Sequence, residues 1–234
     1  MIDTECFVLH NIKFKEYDRI YTLFTRKFGK IQARGRGVRK TTSKLGPHMQ
    51  PLLPLSIQLV EGSSWYTITG VTSKTSLFPH FDEDYLELST YTSEILKKTL
   101  PEHQENMELF DILEKVFVYI IHKKLPVPLS KCLFLVQYLK HTGHTIELFE
   151  CLECGKKNTE FVLSVSHGGV LCTDCSTEKP TPTVYLQCLR ILNDDSLEHI
   201  ERILGLSEKG FQYLLSLLEY LFLQFYPVKL NTMK

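Results

Sequence analysis

The 234-residue chain is 43% hydrophobic and 23% charged, a balance typical of folded globular proteins and not of disordered tails. Its formal net charge is zero, and charged side chains between Asp3 and Asp18 exclude the apolar core of a signal peptide. The most apolar run, from Phe211 to Tyr226, is sixteen residues long and is interrupted by polar residues, which is too short to span a bilayer. We therefore expect a cytoplasmic protein that does not insert into membranes.

The charge is distributed unevenly along the chain. Residues 1–80 contain twelve Lys and Arg against five acids, whereas residues 81–234 contain fifteen against twenty-two. The nineteen residues from Arg26 to Lys44 carry eight basic side chains and no acid. Solvated protein surfaces usually mix both signs, so this stretch predicts a surface that meets a polyanion. The alternative interpretation is an ordinary solvated loop.

The first eighty residues are predicted to form five short strands. Their segments are rich in β-branched and aromatic residues, and Gly29, the Gly46–Pro47 pair and Gly62 separate them. Five such strands in about eighty residues fit a small closed barrel of the OB-fold type. The predicted strand segments are CFVLHNIKF, RIYTLFTRKFG, KIQARGRGV, LSIQLVEG and SWYTITGVTS.

From residue 81 onward the pattern is helical. In NMELFDILEKVFVYIIHKKL the apolar residues recur every three or four positions, as on a helix with one buried face. Ser130 and Ser196 are predicted N-caps of two later helices, and Gly143 is predicted to end the first of them. We therefore predict an α+β protein with two domains: an OB-fold barrel over 1–80 and a helical domain over 81–234.

Four cysteines predict a metal site. Cys151 and Cys154 are separated by two residues, as are Cys172 and Cys175, with seventeen residues between the pairs. This is the spacing of structural zinc sites, so we expect one Zn²⁺ in a four-cysteine finger at about residues 149–178. Redox-active thiols or an empty site are the alternatives. Four thiolates leave no open position for an activated water, so the zinc is expected to be structural.

The rest of the cysteine segment predicts its local fold. FVLSVSHGGV is typical of a hairpin with Gly168 and Gly169 at its turn, which would bring the two cysteine pairs together. His167 on that hairpin is a possible substitute ligand. The remaining cysteines, Cys6, Cys132 and Cys188, lie in apolar surroundings typical of buried, inert thiols.

Motifs of catalysis are missing from the sequence. Neither a P-loop nor an H-E-x-x-H, G-x-S-x-G or G-x-G-x-x-G motif occurs in the chain. The nine histidines are scattered along the chain. Acidic pairs such as Asp194–Asp195 fall at predicted helix starts, where carboxylates interact favourably with the positive end of the helix dipole. We therefore expect a protein that is not an enzyme.

Strand alternation organises the basic stretch. If KIQARGR is a strand, Ile31 and Ala33 face the core, and every second residue faces outward. The outward residues would be Lys30, Gln32, Arg34 and Arg36, continued by Arg39, Lys40 and Lys44 on the following loop. Such a track suits phosphates, and Tyr17, Tyr21 or Trp65 would offer stacking faces for bases unless they belong to the core.

The two halves of the sequence together resemble the RecO family, bacterial DNA repair proteins that act as recombination mediators. The resemblance begins in LHNIKFKEYDRIYTLFTRKFGKIQARGRGVRKTTSKL and the later QP. It continues through FLVQYLKHTGHTIELFECLECG and HGGVLCTDC, in the family's order. The residues that match the N-terminal pattern are Glu16, Asp18, Arg19, Thr25, Gly29, Lys30, Gly37, Val38, Arg39, Lys40, Ser43, Gln50 and Pro51.

The resemblance implies an OB-fold, a helical domain with an inserted zinc finger, and a nucleoid-associated role in repair. It implies binding of single- and double-stranded DNA, annealing of complementary strands, and loading of RecA at gaps. The implied partners are RecR and the C-terminal tail of the single-stranded DNA-binding protein, with the helical domain as the candidate tail-binding region. The candidate DNA-binding residues are Arg19, Arg26, Lys27, Lys30, Arg34, Arg36, Arg39, Lys40 and Lys44.

Two other functions remain open at this point. In a zinc-ribbon transcription or RNA-binding factor, the finger itself would read nucleic acid. Lys156 and Lys157 would favour this. The acids around the site disfavour it: Glu150, Glu153, Glu160 and Asp174. A protein-interaction adaptor that uses only the helical domain is the third possibility.

Overall fold

The structure, a computed structural model, describes residues 1–51, 53–62, 65–74 and 82–233. Its contacts divide the chain into two compact units. The first comprises Met1–Lys124 with the end of the chain from Leu230, and the second comprises Leu125–Lys229. The first unit therefore contains two helices beside the barrel. The predicted domains, 1–80 and 81–234, remain a prediction.

Five strands form a closed barrel in the first unit. They are β1 (Ile2–Phe14), β2 (Asp18–Thr25), β3 (Gly29–Gly35), β4 (Leu55–Val60) and β5 (Tyr66–Ser73), paired in the order β1-β2-β3-β5-β4 with β4 closing on β1. All pairs are antiparallel except β3–β5. The predicted five-stranded barrel is confirmed; Ser64, which opens the fifth predicted segment, lies outside the described residues.

The centre of strand β1, residues 6–9, is apolar on both faces, and each face is buried against a different layer. Cys6 and Val8 point into the barrel core. Phe7 points outward, and its ring centroid lies 4.9 Å from that of Phe110 and 5.3 Å from that of Phe117. Both of these aromatic residues belong to a helix of the same unit. The continuous run CFVL is thus a strand covered on two sides, which explains its lack of polar alternation.

Helices α1 (Glu83–Thr99) and α2 (Met107–Lys123) complete the first unit. The side chain of Asp82 accepts the N–H of Tyr85, and that of Asn106 accepts the N–H of Leu109, so both helices begin at a side-chain cap. Helix α2 ends at Lys123, and the φ of 50° at the next residue, Lys124, breaks the helical backbone. The prediction of helices from residue 81 onward is confirmed.

The second unit consists of three helices and a short hairpin. The helices are α3 (Val127–His141), α4 (Thr183–Leu192) and α5 (Glu208–Phe225), and α3 packs against α5 and α4. The hairpin pairs β6 (Phe161–Ser164) with β7 (Gly169–Cys172). Its turn contains Gly168 with φ 74°, as predicted, whereas Gly169 is already the first residue of β7. Among the described helices, none combines the length and apolarity that crossing a bilayer requires.

Two predicted helix caps are wrong. Helix α3 begins at Val127 with Pro126 as its N-cap and Pro128 in its first turn, where proline is favoured, so Ser130 lies inside the helix and is fully buried. Ser196 precedes only a 3-10 turn, Ile200–Ile203, and its N–H donates to Asp194. In both cases a Pro or Asp a few residues earlier provides the turn that the Ser was expected to start. Gly143, with φ 88°, does follow the end of α3.

Candidate nucleic-acid interface and metal centre

The cations at residues 26–30, here called the anchored end, are engaged within the first unit. Arg26 donates to Glu5 on β1 at 3.3 Å and to Asp111 on α2 at 2.9 Å. Lys74 bridges Glu5 and Glu114 beside it, at 2.7 and 2.6 Å. Lys27 donates to the Asp3 carbonyl at 2.6 Å. These contacts join barrel strands to each other and to α2. Arg26 is paired with two carboxylates, whereas Lys27 is exposed and donates to one backbone carbonyl.

Lys30 differs most from its predicted position. Alternation placed it on the outward face, but it is only 9% exposed, and its ammonium donates to the Lys97 carbonyl near the end of α1 at 2.8 Å. Burial lowers the pKa of Lys30, an effect that nearby Glu102 opposes. The outward face of β3 is covered at this point by the α1–α2 connection, where the His103 N–H donates to the Lys30 carbonyl at 2.9 Å.

Arg34 is also held by a protein carboxylate. The alternation itself is correct, because Ile31 and Ala33 are buried and Gln32 is exposed. The guanidinium of Arg34, however, donates through Nε and Nη2 to Oδ2 of Asp18, at 2.9 and 2.5 Å. Asp18 lies opposite at the start of β2, a position that strand pairing sets and local sequence does not reveal.

The remaining cations form what we call the basic turn, residues 36–44. Its residues Arg36, Arg39, Lys40 and Lys44 are all exposed, and none of them forms an ion pair with a described residue. Arg39 donates from its backbone N–H to the Tyr17 carbonyl at 3.0 Å and from its guanidinium to the Glu16 carbonyl at 2.8 Å. The ammonium of Lys40 lies 5.2 Å from the Tyr17 ring centroid.

The β1–β2 turn supplies a further cation to this surface. Lys15 has φ 51° and is exposed, and its ammonium lies 5.7 Å from the Phe14 ring centroid. The Arg34 guanidinium lies 5.3 Å from the same centroid. The sequence pattern of the basic stretch does not include Lys15, because this residue is eleven positions upstream of Arg26 and only the hairpin brings it beside the basic turn.

The other residues predicted to contribute to this surface differ in their exposure to solvent. Arg19 is half-buried beside Tyr21; burial raises the pKa of Tyr21, and Arg19 opposes that effect. Tyr21 is 1% exposed and belongs to the core. Tyr17 and Trp65 are 44% and 37% exposed, so both retain an accessible ring surface for stacking.

A groove on the barrel carries negative charge and is therefore unsuited to a phosphate chain. A groove of about 390 Å³ is lined in part by Gln32, Trp65 and Tyr66. It also contains the carboxylates of Glu61 and Glu102. Because these acids repel phosphates, the basic turn and not this groove is the candidate polyanion surface.

The four predicted metal ligands come together in the second unit. The Sγ atoms of Cys151, Cys154, Cys172 and Cys175 all lie within 4.8 Å of one another, and those of Cys154 and Cys172 are 3.6 Å apart. Zinc–thiolate bonds of about 2.3 Å in a tetrahedron place sulfurs about 3.8 Å apart, so the donor set fits such an ion. The cluster can therefore hold a metal ion. His167 is not part of it, since its Nδ1 is 2.7 Å from Ser164 Oγ.

Local groups act differently on these thiols: backbone N–H groups favour the thiolate of Cys151, whereas the neighbouring thiols of Cys172 and Cys154 raise the pKa of Cys175. Burial raises the pKa of the Cys151 thiol, but backbone N–H groups of Cys172 and Cys154 outweigh it and lower that pKa to about 6. Each pair also closes a tight turn: Gly155 donates to the Cys151 carbonyl at 2.8 Å, and Cys175 donates to the Cys172 carbonyl at 3.0 Å. Gly155 has φ 69°, which suits glycine after the second ligand.

The charges around the cluster are paired. Lys156 lies 2.7 Å from Asp174, and Lys157 lies 2.9 Å from Glu150. The two lysines that favoured a nucleic-acid-binding finger are therefore neutralised by neighbours. The other cysteines, Cys6, Cys132 and Cys188, are buried as predicted, and burial raises the pKa of each thiol.

Two family models match most of the sequence. The model described as "Recombination protein O N terminal" matches residues 1–77, and the one described as "Recombination protein O C terminal" matches residues 81–204. The first covers the barrel, and the second covers α1 to α4 together with the cysteine cluster.

Curated relatives agree with this match. The chain is 30% identical to a DNA repair protein RecO of Alkaliphilus metalliredigens (strain QYMF), over 75% of this chain and 72% of the relative. It is 30% identical to that of Desulfitobacterium hafniense (strain DSM 10664 / DCB-2), over 85% and 76%. A third relative, from Dehalococcoides mccartyi (strain ATCC BAA-2100 / JCM 16839 / KCTC 5957 / BAV1), is 30% identical over 86% and 81%. The barrel, the helical unit with its cysteine cluster and these matches agree: the chain belongs to the RecO family of DNA repair proteins.

Proposed function

We propose that this protein, without enzymatic activity of its own, binds single- and double-stranded DNA through the basic turn and anneals complementary strands. The observation that carries the proposal is the set of exposed cations at residues 36–44 that lack a carboxylate partner among the described residues. Lys15 and the ring of Tyr17 extend the same surface. Cations without protein counter-ions are free to replace the condensed counter-ions of DNA, which is the main source of affinity for a phosphate backbone.

Annealing follows from the same electrostatics. Two complementary strands repel each other through their phosphates, and a surface that neutralises phosphates lowers that repulsion. Phosphate contacts leave the pairing edges of the bases free and carry no sequence information. With about four cations engaged, the slope of log K against log salt should be about −3 for single strands and about −4 for duplexes.

The triple variant R36Q/R39Q/K40Q tests the proposal. Loss of three phosphate contacts should weaken single-strand binding on the order of 100-fold at 100 mM salt and reduce the slope by about 2. The annealing rate of complementary strands coated with single-stranded DNA-binding protein should fall with it. Unchanged affinity and unchanged annealing would place the DNA surface elsewhere.

We further propose that the protein acts with RecR and the C-terminal tail of the single-stranded DNA-binding protein, so that RecA is loaded onto coated DNA. The family match supports this proposal, and the helical region remains the candidate for tail contact. Strands coated with a single-stranded DNA-binding protein that lacks its tail should anneal more slowly than strands coated with the intact protein. Equal rates for the two coats would contradict a role for the tail.

We also propose that the metal is one structural Zn²⁺, held by Cys151, Cys154, Cys172 and Cys175. When bound, the ion would cross-link the two cysteine turns, and a complete set of four thiolates leaves no position for catalytic water. Metal analysis should find one zinc per chain in the wild type and a loss of zinc in Cys154→Ser. His167→Ala, on the same hairpin but outside the cluster, should retain the zinc. A wild type without metal and with four titratable thiols would refute the assignment.

A further inference from the structure

One acid lies directly beneath the basic turn. Asp18 is only 9% exposed, and its Oδ1 accepts the backbone N–H of Gly37 at 2.7 Å. Its Oδ2 accepts both Arg34 donors described above. Asp18 therefore contacts the turn at its backbone and pairs with the half-buried cation of β3 beside it.

The contact with Gly37 reaches the whole turn. Gly37 has φ 63°, and its carbonyl accepts the N–H of Lys40 at 3.0 Å, which closes a four-residue turn. The Lys40 side chain passes directly over it, since a Cβ at Gly37 would lie 3.7 Å from Lys40 Cδ. Arg39 is tied next to it through the Tyr17 carbonyl. A group that holds the Gly37 peptide in one conformation therefore also determines the positions of Arg39 and Lys40.

A second, apolar contact holds the same segment from below. Val38 is 8% exposed and packs in the barrel core beside Tyr21 and Leu45. This contact anchors the chain but does not determine the direction of the peptide group at Gly37, because apolar burial is non-directional. The direction of this peptide group is determined by the hydrogen bond from the Gly37 N–H to Asp18.

We propose that Asp18 is a positioning residue for DNA binding: it pre-organises the basic turn, and Arg34 is its counter-ion and not a phosphate ligand. The proposal rests on the proposed function, since it explains how those cations are presented. The Gly37 N–H, together with Arg34, holds the pKa of Asp18 below its usual value, against the effect of burial. The carboxylate is thus charged at neutral pH and remains a strong acceptor.

Pre-organisation has a distinct signature in the salt dependence. The slope of log K against log salt counts phosphate contacts, whereas the intercept includes the entropy of ordering the binding residues. Removal of a cation that contacts phosphate makes the slope less steep. Removal of a positioning group lowers affinity at every salt concentration and leaves the slope unchanged, because the same cations still reach the DNA once the turn is ordered.

Two double variants isolate the contact to Gly37. D18A/R34Q removes the acceptor and its counter-ion together, so the local net charge is unchanged. D18N/R34Q has the same charge but retains a carbonyl oxygen for the Gly37 N–H. Single-strand affinity should fall on the order of 10-fold in D18A/R34Q, with the slope preserved, and should lie within about twofold of wild type in D18N/R34Q. Thermal unfolding of both variants verifies that the barrel is intact.

R34Q alone and R36Q complete the set. R34Q should leave the slope unchanged, whereas R36Q should reduce it by about 0.7 on single strands. If R36Q behaves as expected and D18A/R34Q binds like wild type, the positioning role is wrong and the DNA surface stands. If R36Q also has no effect, the DNA surface itself is wrong. A slope reduced by R34Q would overturn the assignment of Arg34 as a counter-ion.

Amide exchange of Gly37 gives a readout that is independent of DNA. The exchange rate should rise at least about 10-fold in D18A/R34Q and remain near wild type in D18N/R34Q. If D18A/R34Q does not fold, D18E serves in its place, because it keeps the charge but moves the carboxylate by one methylene. D18E should show the same lowered affinity at constant slope, and wild-type affinity and exchange in D18E would overturn the proposal.

Discussion

The two ends of the basic stretch have similar compositions and different positions in the structure. At the anchored end, Arg26, Lys27 and Lys30 are bonded to two carboxylates and two backbone carbonyls of the first unit. In the basic turn, the Arg39 guanidinium donates to the Glu16 carbonyl and Lys40 contacts an aromatic ring and backbone. Arg36 and Lys44 have no hydrogen bond in the described part of the chain, and none of these four cations pairs with a described carboxylate. A run of positive charge in sequence is therefore not a run of available charge.

The difference has a simple physical origin. A buried or half-buried cation must find acceptors, because an unpaired charge out of water is costly. Lys30 meets this requirement at the last turn of α1, where carbonyls lack helical partners and favour positive charge. An exposed cation is solvated by water and retains its capacity for a ligand. A cation on the strand is buried and hydrogen-bonded where another element covers the strand, and it is solvated where none does.

The largest expected contrast between the two regions concerns their left-handed glycines. Gly29 has φ 62°, and a Cβ there would lie 1.9 Å from the Gln104 carbonyl oxygen; Gly37 has φ 63°, but only the flexible Lys40 side chain is near. Gly29→Ala should lower the free energy of unfolding by about 3 kcal/mol or more, and Gly37→Ala by about 1 kcal/mol. Denaturant unfolding measures both. Equal losses would contradict the close approach at the anchored end.

The second contrast compares matched pairs of cations. R36Q/K40Q should weaken single-strand binding about 25-fold at 100 mM salt and reduce the slope by about 1.4, since two phosphate contacts are lost. R26Q/K27Q removes the same charge from the anchored end and should leave the slope unchanged. Fluorescence anisotropy over a salt series measures both slopes. Similar slopes for the two variants would show that the whole stretch, and not the turn, contacts DNA.

The smallest expected effect concerns the acid stability of α1, the helix whose Lys97 carbonyl accepts a hydrogen bond from Lys30 of the anchored end. Glu94 on α1 accepts N–H groups of Asn231 and Thr232 and pairs with Lys98 at 2.7 Å. Burial raises the pKa of Glu94, but these contacts outweigh it and lower that pKa to about 2. Since the folded pKa lies below the unfolded value of about 4.3, the stabilisation is complete above that value and is lost as pH falls towards 2.

The variant E94Q tests this pH dependence. Wild type should exceed E94Q in free energy of unfolding by about 1–2 kcal/mol at pH 7, after allowance for solvent screening. The difference should shrink between about pH 5 and pH 2. Denaturant unfolding at several pH values measures it. A difference that does not vary with pH would contradict the role of the ionised carboxylate.

Part of the fold and of the candidate sites could be predicted because it depends on local patterns. The alternation of Ile31, Gln32 and Ala33 places two residues in the core and one outside whatever the neighbouring strand is. The cysteine pairs bring their own turns, and the Gly168 turn joins the strands that align them. Ser130 failed as a cap because Pro126 starts the helix four residues earlier, and both are compatible with a helix start in sequence.

The sequence by itself determined that the chain would form a five-stranded barrel, a helical region and a four-thiol cluster, and it indicated a polyanion surface between residues 26 and 44. Only the tertiary structure decided which cations belong to that surface. Lys30 donates a hydrogen bond to the backbone carbonyl of Lys97, Arg26 donates to the carboxylate of Asp111, and Arg34 donates to that of Asp18. Each acceptor lies sixteen or more residues away in sequence. Hydrogen-bonded partners at such separations depend on strand register and helix packing, which no local periodicity encodes.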